Sequence, residues 1–202
     1  MLIYLIRHGE TPAGRAAYNK EKRRPDPELT SLGSVQAERT GLRLADTGIG
    51  HLYASDLIRT LRTAEPIARH TGLPILLRPA LREIDMGRLH HAGWEHIRKD
   101  DPVFHDLWHR HISDLPYPDG ETGEQAAVRA MPVLREAIAG GTDAAIVTHG
   151  GTIRCILCAV LGMPQERRFL LGPVHNCGIT VLQAEGDTIS LVGFNDVGHL
   201  MV

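Results

Sequence analysis

Short apolar runs alternate with longer amphipathic stretches along the whole chain. Residues 2–6 form a run of branched and aromatic side chains that ends at Arg7-His8-Gly9, which predicts a buried strand opening into a loop. Residues 12–28 are polar, are punctuated by Gly14, Pro25 and Pro27, and carry the basic cluster Lys20, Lys22, Arg23 and Arg24, the composition of an exposed loop. Thr30 stands where an N-cap belongs, ahead of Leu32, Val35, Gln36 and Leu42 at helical spacing, so a helix is predicted to about Asp46, ended by Gly48 and Gly50. A strand over 51–54, a helix over 57–70 closed by Gly72, and a short strand over 75–77 follow. Pro66 inside that helix predicts a kink or a break.

Residues 86–120 are irregular and rich in His, Trp, Asp and Pro, with a helical stretch over 94–111, and they are the expected cap over a site. A helix over 121–139, blemished by Pro132, leads into an apolar strand over 143–148, the pair Gly150-Gly151 and a helix to Leu161. Residues 178–183 and 188–194 read as a hairpin with Glu185-Gly186-Asp187 at the turn. Strands alternating with helices imply an α/β protein: a three-layer α/β/α sandwich with a mostly parallel sheet, an antiparallel strand at its edge, and a small cap. The 202 residues suit one domain over 1–202, with the cap as an insertion over about 86–120.

Composition narrows this picture without naming a function. Hydrophobic residues at 43% and charged residues at 23% exclude a disordered or fibrous chain, and a net charge of −2 gives no global attraction to nucleic acid or an anionic membrane. Any anion site is therefore a local concentration of Arg and His. The apolar run at 2–6 is too short for a signal sequence or a membrane span, so a cytoplasmic protein is expected. The three cysteines fit a reducing compartment, and Cys155 and Cys158 lie in an apolar run where burial is expected rather than metal or redox use.

Four polar clusters stand at or just after predicted strands: Arg7-His8-Gly9-Glu10-Thr11, Ser55-Asp56-Leu57-Ile58-Arg59, Leu81-Arg82-Glu83 and Thr148-His149-Gly150-Gly151. Ligands of open α/β sheets collect outside the carboxyl ends of strands, so these clusters are expected to converge. Two arginines, two histidines and a glutamate suit phosphoryl transfer. Guanidinium groups supply fixed, paired donors to phosphate oxygens, a role for Arg7 and Arg59. A neutral imidazole at His8 is a competent nucleophile, Gly9 would let substrate approach the backbone, and Glu83 is the carboxyl nearest the cluster for proton donation.

These motifs, together with Leu29-Thr30, Gly33, Gln36-Ala37, Thr63-Ala64 and Gly120-Glu121-Thr122, resemble the histidine phosphatase superfamily, the phosphoglycerate mutase-like family, over nearly the whole chain. The resemblance implies a phosphoric monoester hydrolase of the histidine acid phosphatase type, with His8 phosphorylated, Glu83 as proton donor, and Arg7, Arg59 and His149 around the phosphate. Thr11 and Gly150, in the same motifs, join the substrate-binding set. It implies no metal and no organic cofactor. The expected partner is a small phosphorylated substrate, with no nucleic acid and no membrane, and a homodimer is an open alternative. The chain departs from the family in lacking an Asn soon after Glu10, where Gly14 stands. It also carries Gly87-Arg88-Leu89-His90-His91 where many members carry G-x-W-E-G.

Glu10, Ser55 and Glu121 are expected to support the site by hydrogen bonding. The histidines His90, His91, His96, His105, His109 and His111 are expected as solvated cap residues, with a metal site as the alternative, since His105 and His109 could share a helix face. Lys20 to Arg24 read as a solvated loop that could instead reach a second anionic group of the substrate. Asp85 is the alternative acid to Glu83. Phosphoglycerate mutase and a catalytically silent phospho-ligand-binding module are the rival functions.

Overall fold

The computed structural model describes residues 1–12, 18, 19, 21, 22 and 24–201; Gly14, Lys20 and Arg23 of the loop reading lie outside them. The strands are β1 (Leu2–Arg7), the two-residue pair β2 (Tyr18–Asn19) and β3 (Arg24–Pro25), β4 (His51–Ala54), β5 (Ile75–Leu77), β6 (Ala144–Thr148), β7 (Ile179–Glu185) and β8 (Thr188–Asp196). Six of them form one sheet in the order β5-β4-β6-β1-β7-β8. Strand β1 lies inside it, parallel to β6 with Ile3 opposite Ala144 and Arg7 opposite Thr148, and antiparallel to β7 with Leu2 opposite Gln183.

Alternation along β1 builds the two faces of the sandwich. Ile3 and Leu5 pack with Ile146, Leu134, Ile153 and Ile156, whereas Tyr4 and Ile6 pack with Ala145, Val147, Leu44 and Ile67. The first face is covered by α6 (Gly123–Ala139) and α7 (Gly150–Leu161), the second by α1 (Ser31–Leu44) and α2 (Ile58–Thr71). Each fully buried Leu or Ile contributes about 1.5–3 kcal/mol.

Thr30 caps α1 by accepting from the Gly33 N–H at 2.9 Å. Helix α2 runs unbroken through Pro66, so the break that was one of the two predicted outcomes does not occur. Pro66 is buried against α1 at Gly41, where a Cβ would lie 2.9 Å from the Pro66 carbonyl, and this packing holds the helix where one backbone hydrogen bond is lost. A capping box between Thr122 and Gln125 starts α6 at Gly123. Cys155 and Cys158 are buried in α7.

Two further expectations change. The strand that opposes the others is β7, one in from the edge, because β8 folds back on it and regains the direction of β1. The hairpin turn is Gly186-Asp187 alone, with Gly186 at φ +57° and Glu185 still in the strand. In the cap, the helical stretch divides into α4 (Trp94–Asp100) and α5 (Pro102–His109) after a short α3 (Leu89–Ala92). Pro102 forces the break by holding Asp101 extended, and the Asp101 carboxylate then caps α5 through the Phe104 N–H at 2.9 Å. No helix among the described residues is long and apolar enough to cross a membrane.

Candidate active site

At the carboxyl end of β1 the chain leaves the sheet at Arg7-His8. Its exit is pinned from both sides: the His8 N–H donates to the Thr148 carbonyl at 3.0 Å, and the Asn176 side chain and Cys177 N–H donate to the His8 carbonyl at 2.9 and 3.3 Å. The close approach that Gly9 permits is to the backbone of Gly33, whose carbonyl would lie 2.6 Å from a Cβ there. That contact sets the loop after β1 against the start of α1.

A cavity of about 240 Å³ opens beside this exit. Arg7, His8, Thr11, Arg59 and Glu83 of the sequence-predicted set line it, joined by Pro12, Arg24, Pro25, Pro27, Met86 and His90. His149 and Gly150 do not. His149 is fully buried with its ring edge-on to that of His8 at 5.2 Å, and Gly150 is buried behind the Arg7 side chain.

The His8 Nδ1 lies 2.8 Å from the Gly9 carbonyl, which can only accept, so Nδ1 carries the proton and Nε2 keeps its lone pair. Burial, and then the positive charges of Arg59 and Arg7, hold His8 well below the ordinary histidine range, and the bond to Gly9 opposes them only in part. His149 is lowered well below that range too, by burial first and then by Arg59. Its Nε2 faces the Ser55 hydroxyl at 3.1 Å, and its buried Nδ1 has no partner among the described residues. Arg7 donates to the Val174 carbonyl at 2.5 Å. Arg59 donates to the Pro25 carbonyl at 3.0 Å and lies 3.9 Å from Asp26.

Glu83 rests on the N-terminus of α7. Its Oε1 accepts from the N–H groups of Ile84 at 2.9 Å and Thr152 at 3.0 Å, and its Oε2 accepts from the Gly151 N–H at 3.2 Å. A Cβ on Gly151 would lie 2.6 Å from Oε1, so glycine there leaves the space that the carboxyl occupies. Its carbonyl accepts from Arg24 at 2.8 Å and Arg129 at 3.1 Å, and these two bonds fix the backbone below the side chain. Asp85 is bound differently. A hydrogen bond from His90, opposed by burial and reinforced by the Gly87 N–H and Arg24, lowers it to about 2, which keeps it ionised and unsuited to donate a proton.

Supporting contacts fall on Glu10, which accepts from the Thr30 hydroxyl at 2.8 Å, on Ser55, and on Glu121, which accepts from the Asp85 N–H at 2.9 Å and pairs with Arg129. Two expectations about exposure are corrected. Arg24, Pro25 and Pro27 turn into the cavity instead of forming a solvated loop, and the His90 side chain is 7% exposed. The body of the cap lies elsewhere: Trp108 and Tyr117 pack with Ile84, Ala126, Ala127 and Cys155, and no residue from 94 to 111 lines the cavity. His105 and His109 do share a helix face, 4.1 Å apart and against Trp94, and among the described residues no three His, Cys, Asp or Glu side chains group as metal ligands.

Several contributors carry no motif of their own. Asp26 accepts from the Ile58 N–H at 2.6 Å and so serves the start of α2, whose own N-cap position is the apolar Leu57. That apolar cap is the one sequence signal that could have pointed to a distant carboxylate. Asn176 and Arg129 offered none.

The sequence profile of the histidine phosphatase superfamily (branch 1) matches residues 3–197. A probable phosphoglycerate mutase of Enterobacter sp. (strain 638) is 33% identical over 212 residues, covering 98% of this chain and 94% of its own. Among solved structures, Bacillus stearothermophilus YhfR superposes with a TM-score of 0.84 at 28% identity, covering 98% of each chain. A mycobacterial glucosyl-3-phosphoglycerate phosphatase, solved with vanadate, superposes with a TM-score of 0.81 at 26% identity, covering 96% of this chain and 98% of its own.

Proposed function

Because the chain belongs to the histidine phosphatase superfamily, we propose that it is a phosphomonoesterase that cleaves a small phosphate ester through a phosphohistidine on His8. The observation that carries this reading is a neutral imidazole, its proton fixed on Nδ1 by the Gly9 carbonyl, in the wall of a cavity that it shares with Arg7 and Arg59.

In the first step the His8 Nε2 lone pair attacks phosphorus while the ester P–O bond breaks, and Glu83 gives its proton to the departing oxygen. Arg7 and Arg59 hold the transferred phosphoryl oxygens, and His149, buried with its ring edge-on to that of His8, backs the nucleophile. In the second step water attacks phosphorus, the P–N bond breaks, and Glu83 takes the proton from water. Inorganic phosphate leaves and His8 returns to its neutral form. The donors at the start of α7 hold the Glu83 carboxyl in place through both steps.

A mutase is the second reading, favoured by the name of the Enterobacter relative at 33% identity. It would use the same first step and return the phosphoryl group to the bound product. The two readings part in one experiment, in which phosphoglycerates and other small esters are assayed in parallel for phosphate release and for isomerisation. Phosphate as the main product is expected, and isomerisation without release would favour the mutase. His8→Ala should abolish turnover, a loss on the order of 10⁴-fold or more. It should also abolish the acid-labile, base-stable phosphoprotein seen on rapid quenching, and normal labelling of that variant would sink the assignment. A cytoplasmic location belongs to the same proposal.

A further inference from the structure

Arg7 and Arg59 share the proposed task of holding phosphoryl oxygens, but the protein holds them in unlike ways. Arg59 donates to the Pro25 carbonyl and lies beside the Asp26 carboxylate. Arg7 makes no ion pair among the described residues, and its guanidinium has one hydrogen bond there, from Nη1 to the Val174 carbonyl. The aim of Arg7 therefore depends on the direction of that carbonyl.

A trans peptide group is planar, so the Val174 carbonyl and the His175 N–H belong to one rigid unit and point opposite ways. The carbonyl faces Arg7, and the N–H donates to Asn195 Oδ1 at 2.8 Å. Asn195 Nδ2 donates to the Pro173 carbonyl at 3.0 Å, so this one amide clasps the peptide groups on both sides of Val174. Its oxygen must face the donor and its nitrogen the acceptor, which leaves no choice of orientation.

The backbone brings Asn195 to that place. Strand β8 carries extra residues opposite β7 between Leu191 and Asp196, since Ile179 faces Asp196, Val181 faces Gly193 and Leu182 faces Leu191. Within this bulge Asn195 stands at φ +55°, a left-handed conformation that asparagine tolerates better than most residues, and its N–H donates to the Thr180 hydroxyl at 3.1 Å. Gly178 clears the approach, because a Cβ on it would collide with Asn195 Oδ1.

We propose that Asn195 is a positioning residue of the reaction: through the Val174–His175 peptide it aims the Arg7 guanidinium at the transferred phosphoryl group. The bond accepted on the N–H side also polarises the peptide and strengthens its carbonyl as a partner for Arg7. The assignment rests on the phosphatase reading, from which it takes Arg7 as a holder of phosphoryl oxygens.

A double-mutant cycle tests it, because a side chain that only stabilises the hairpin has an effect that does not depend on Arg7. Asn195→Gly keeps the left-handed backbone free of strain and removes the clasp. On p-nitrophenyl phosphate its kcat/KM should fall about tenfold under conditions where the variant is folded. Inorganic phosphate, titrated by calorimetry, should bind it severalfold more weakly than the wild type. In the Arg7→Ala background the same substitution should change kcat/KM by less than about twofold. Asn195→Asp keeps the oxygen that faces His175 and the tolerance of positive φ, and should stay within about threefold of the wild type. An unchanged kcat/KM in folded Asn195→Gly overturns the proposal, as does an equal loss with and without Arg7. A loss in Asn195→Asp as large as in Asn195→Gly also overturns it, since the effect would then lie with the Pro173 bond. If Asn195→Gly does not fold, Gly178→Ala carries the cycle, because its methyl displaces the same amide. If the wild type releases phosphate from no ester, the phosphatase reading fails on its own, and the phosphate titration decides. Weaker binding in the Asn195 variant then supports the positioning of Arg7, and equal affinity overturns it.

Discussion

At the floor of the cavity, Arg7 and His8 leave a strand whose neighbours fix its register residue by residue, and the exit is closed by bonds from Asn176 and Cys177. The rim is made otherwise. Arg24, Pro25 and Pro27 come from the segment before α1, Met86 from the irregular backbone at the start of the cap, and His90 from the one-turn α3. The floor is held by the same hydrogen bonds that hold the sheet, whereas the rim is held by a few side chains, chiefly Arg24 across to the Glu83 backbone. Chemistry common to a family can reside in the first, and selection among substrates in the second, because only the second can change without disturbing the sheet.

The sharpest challenge to that division is Gly151→Ala. Its methyl would stand 2.6 Å from Glu83 Oε1 and displace the proposed acid without replacing any ionisable residue. Turnover of alkyl phosphates should fall on the order of 10²-fold, as for a misplacement of about 1 Å. Turnover of an aryl phosphate, whose leaving group needs little protonation, should fall less. Equal losses on both would show that the floor tolerates displacement of Glu83 and that the carboxyl has no proton-donating part.

A second test reads the floor through pH. His8 and His149 are both held well below the ordinary value of about 6.5, so the unfolded chain binds their protons more readily than the folded one. Their neutral burial is therefore without penalty above about pH 6.5, and stability is lost as pH falls below it. The slope approaches roughly 2.7 kcal/mol per pH unit for the two together. Urea denaturation at steps between pH 7.5 and 5 measures this, and a flat midpoint in urea would mean that the two rings are not held neutral.

The smallest effect on turnover is expected far out in the cap. Trp108→Ala removes the centre of the cluster with Ile84, Tyr117 and Phe169 and should lower stability by about 3 kcal/mol. Because no residue of 94–111 lines the cavity, kcat should change by less than about threefold under conditions where the variant is folded. A larger loss in folded protein would tie the cap body to catalysis.

How much of this could be read from the sequence follows the same division. The apolar run of β1 and the Arg7-His8-Gly9 that ends it were legible because periodicity marks the strand and ligands gather at its carboxyl end. The same reasoning located β4, β5 and the start of α7. Reading residues 12–28 as an exposed loop failed at Arg24 because a basic, proline-containing wall of an anion site has the composition of a solvated turn. His90 was misread for a related reason: α3 is four residues long, too short for a periodicity that tells which way a side chain points. At Pro66 the predicted break does not occur, because the helix rule is local and the packing of Gly41 against it comes from another helix. His149 is found in its motif by eye, but its burial behind His8 depends on three strands meeting, which no local pattern records.

The position of β1 in the sheet also bears on how the molecule comes into being. It is the first of the six strands to leave a ribosome, yet both strands that flank it, β6 and β7, belong to the last third of the chain. Until they are made, Leu2–Arg7 waits with two unpaired edges and apolar residues on both faces, the kind of segment that a trigger-type chaperone shields and that clumps when unshielded. His8 is thus made before either of the strands that seat it. Premature termination between β1 and β6 yields a polypeptide that contains His8 but neither strand that flanks β1.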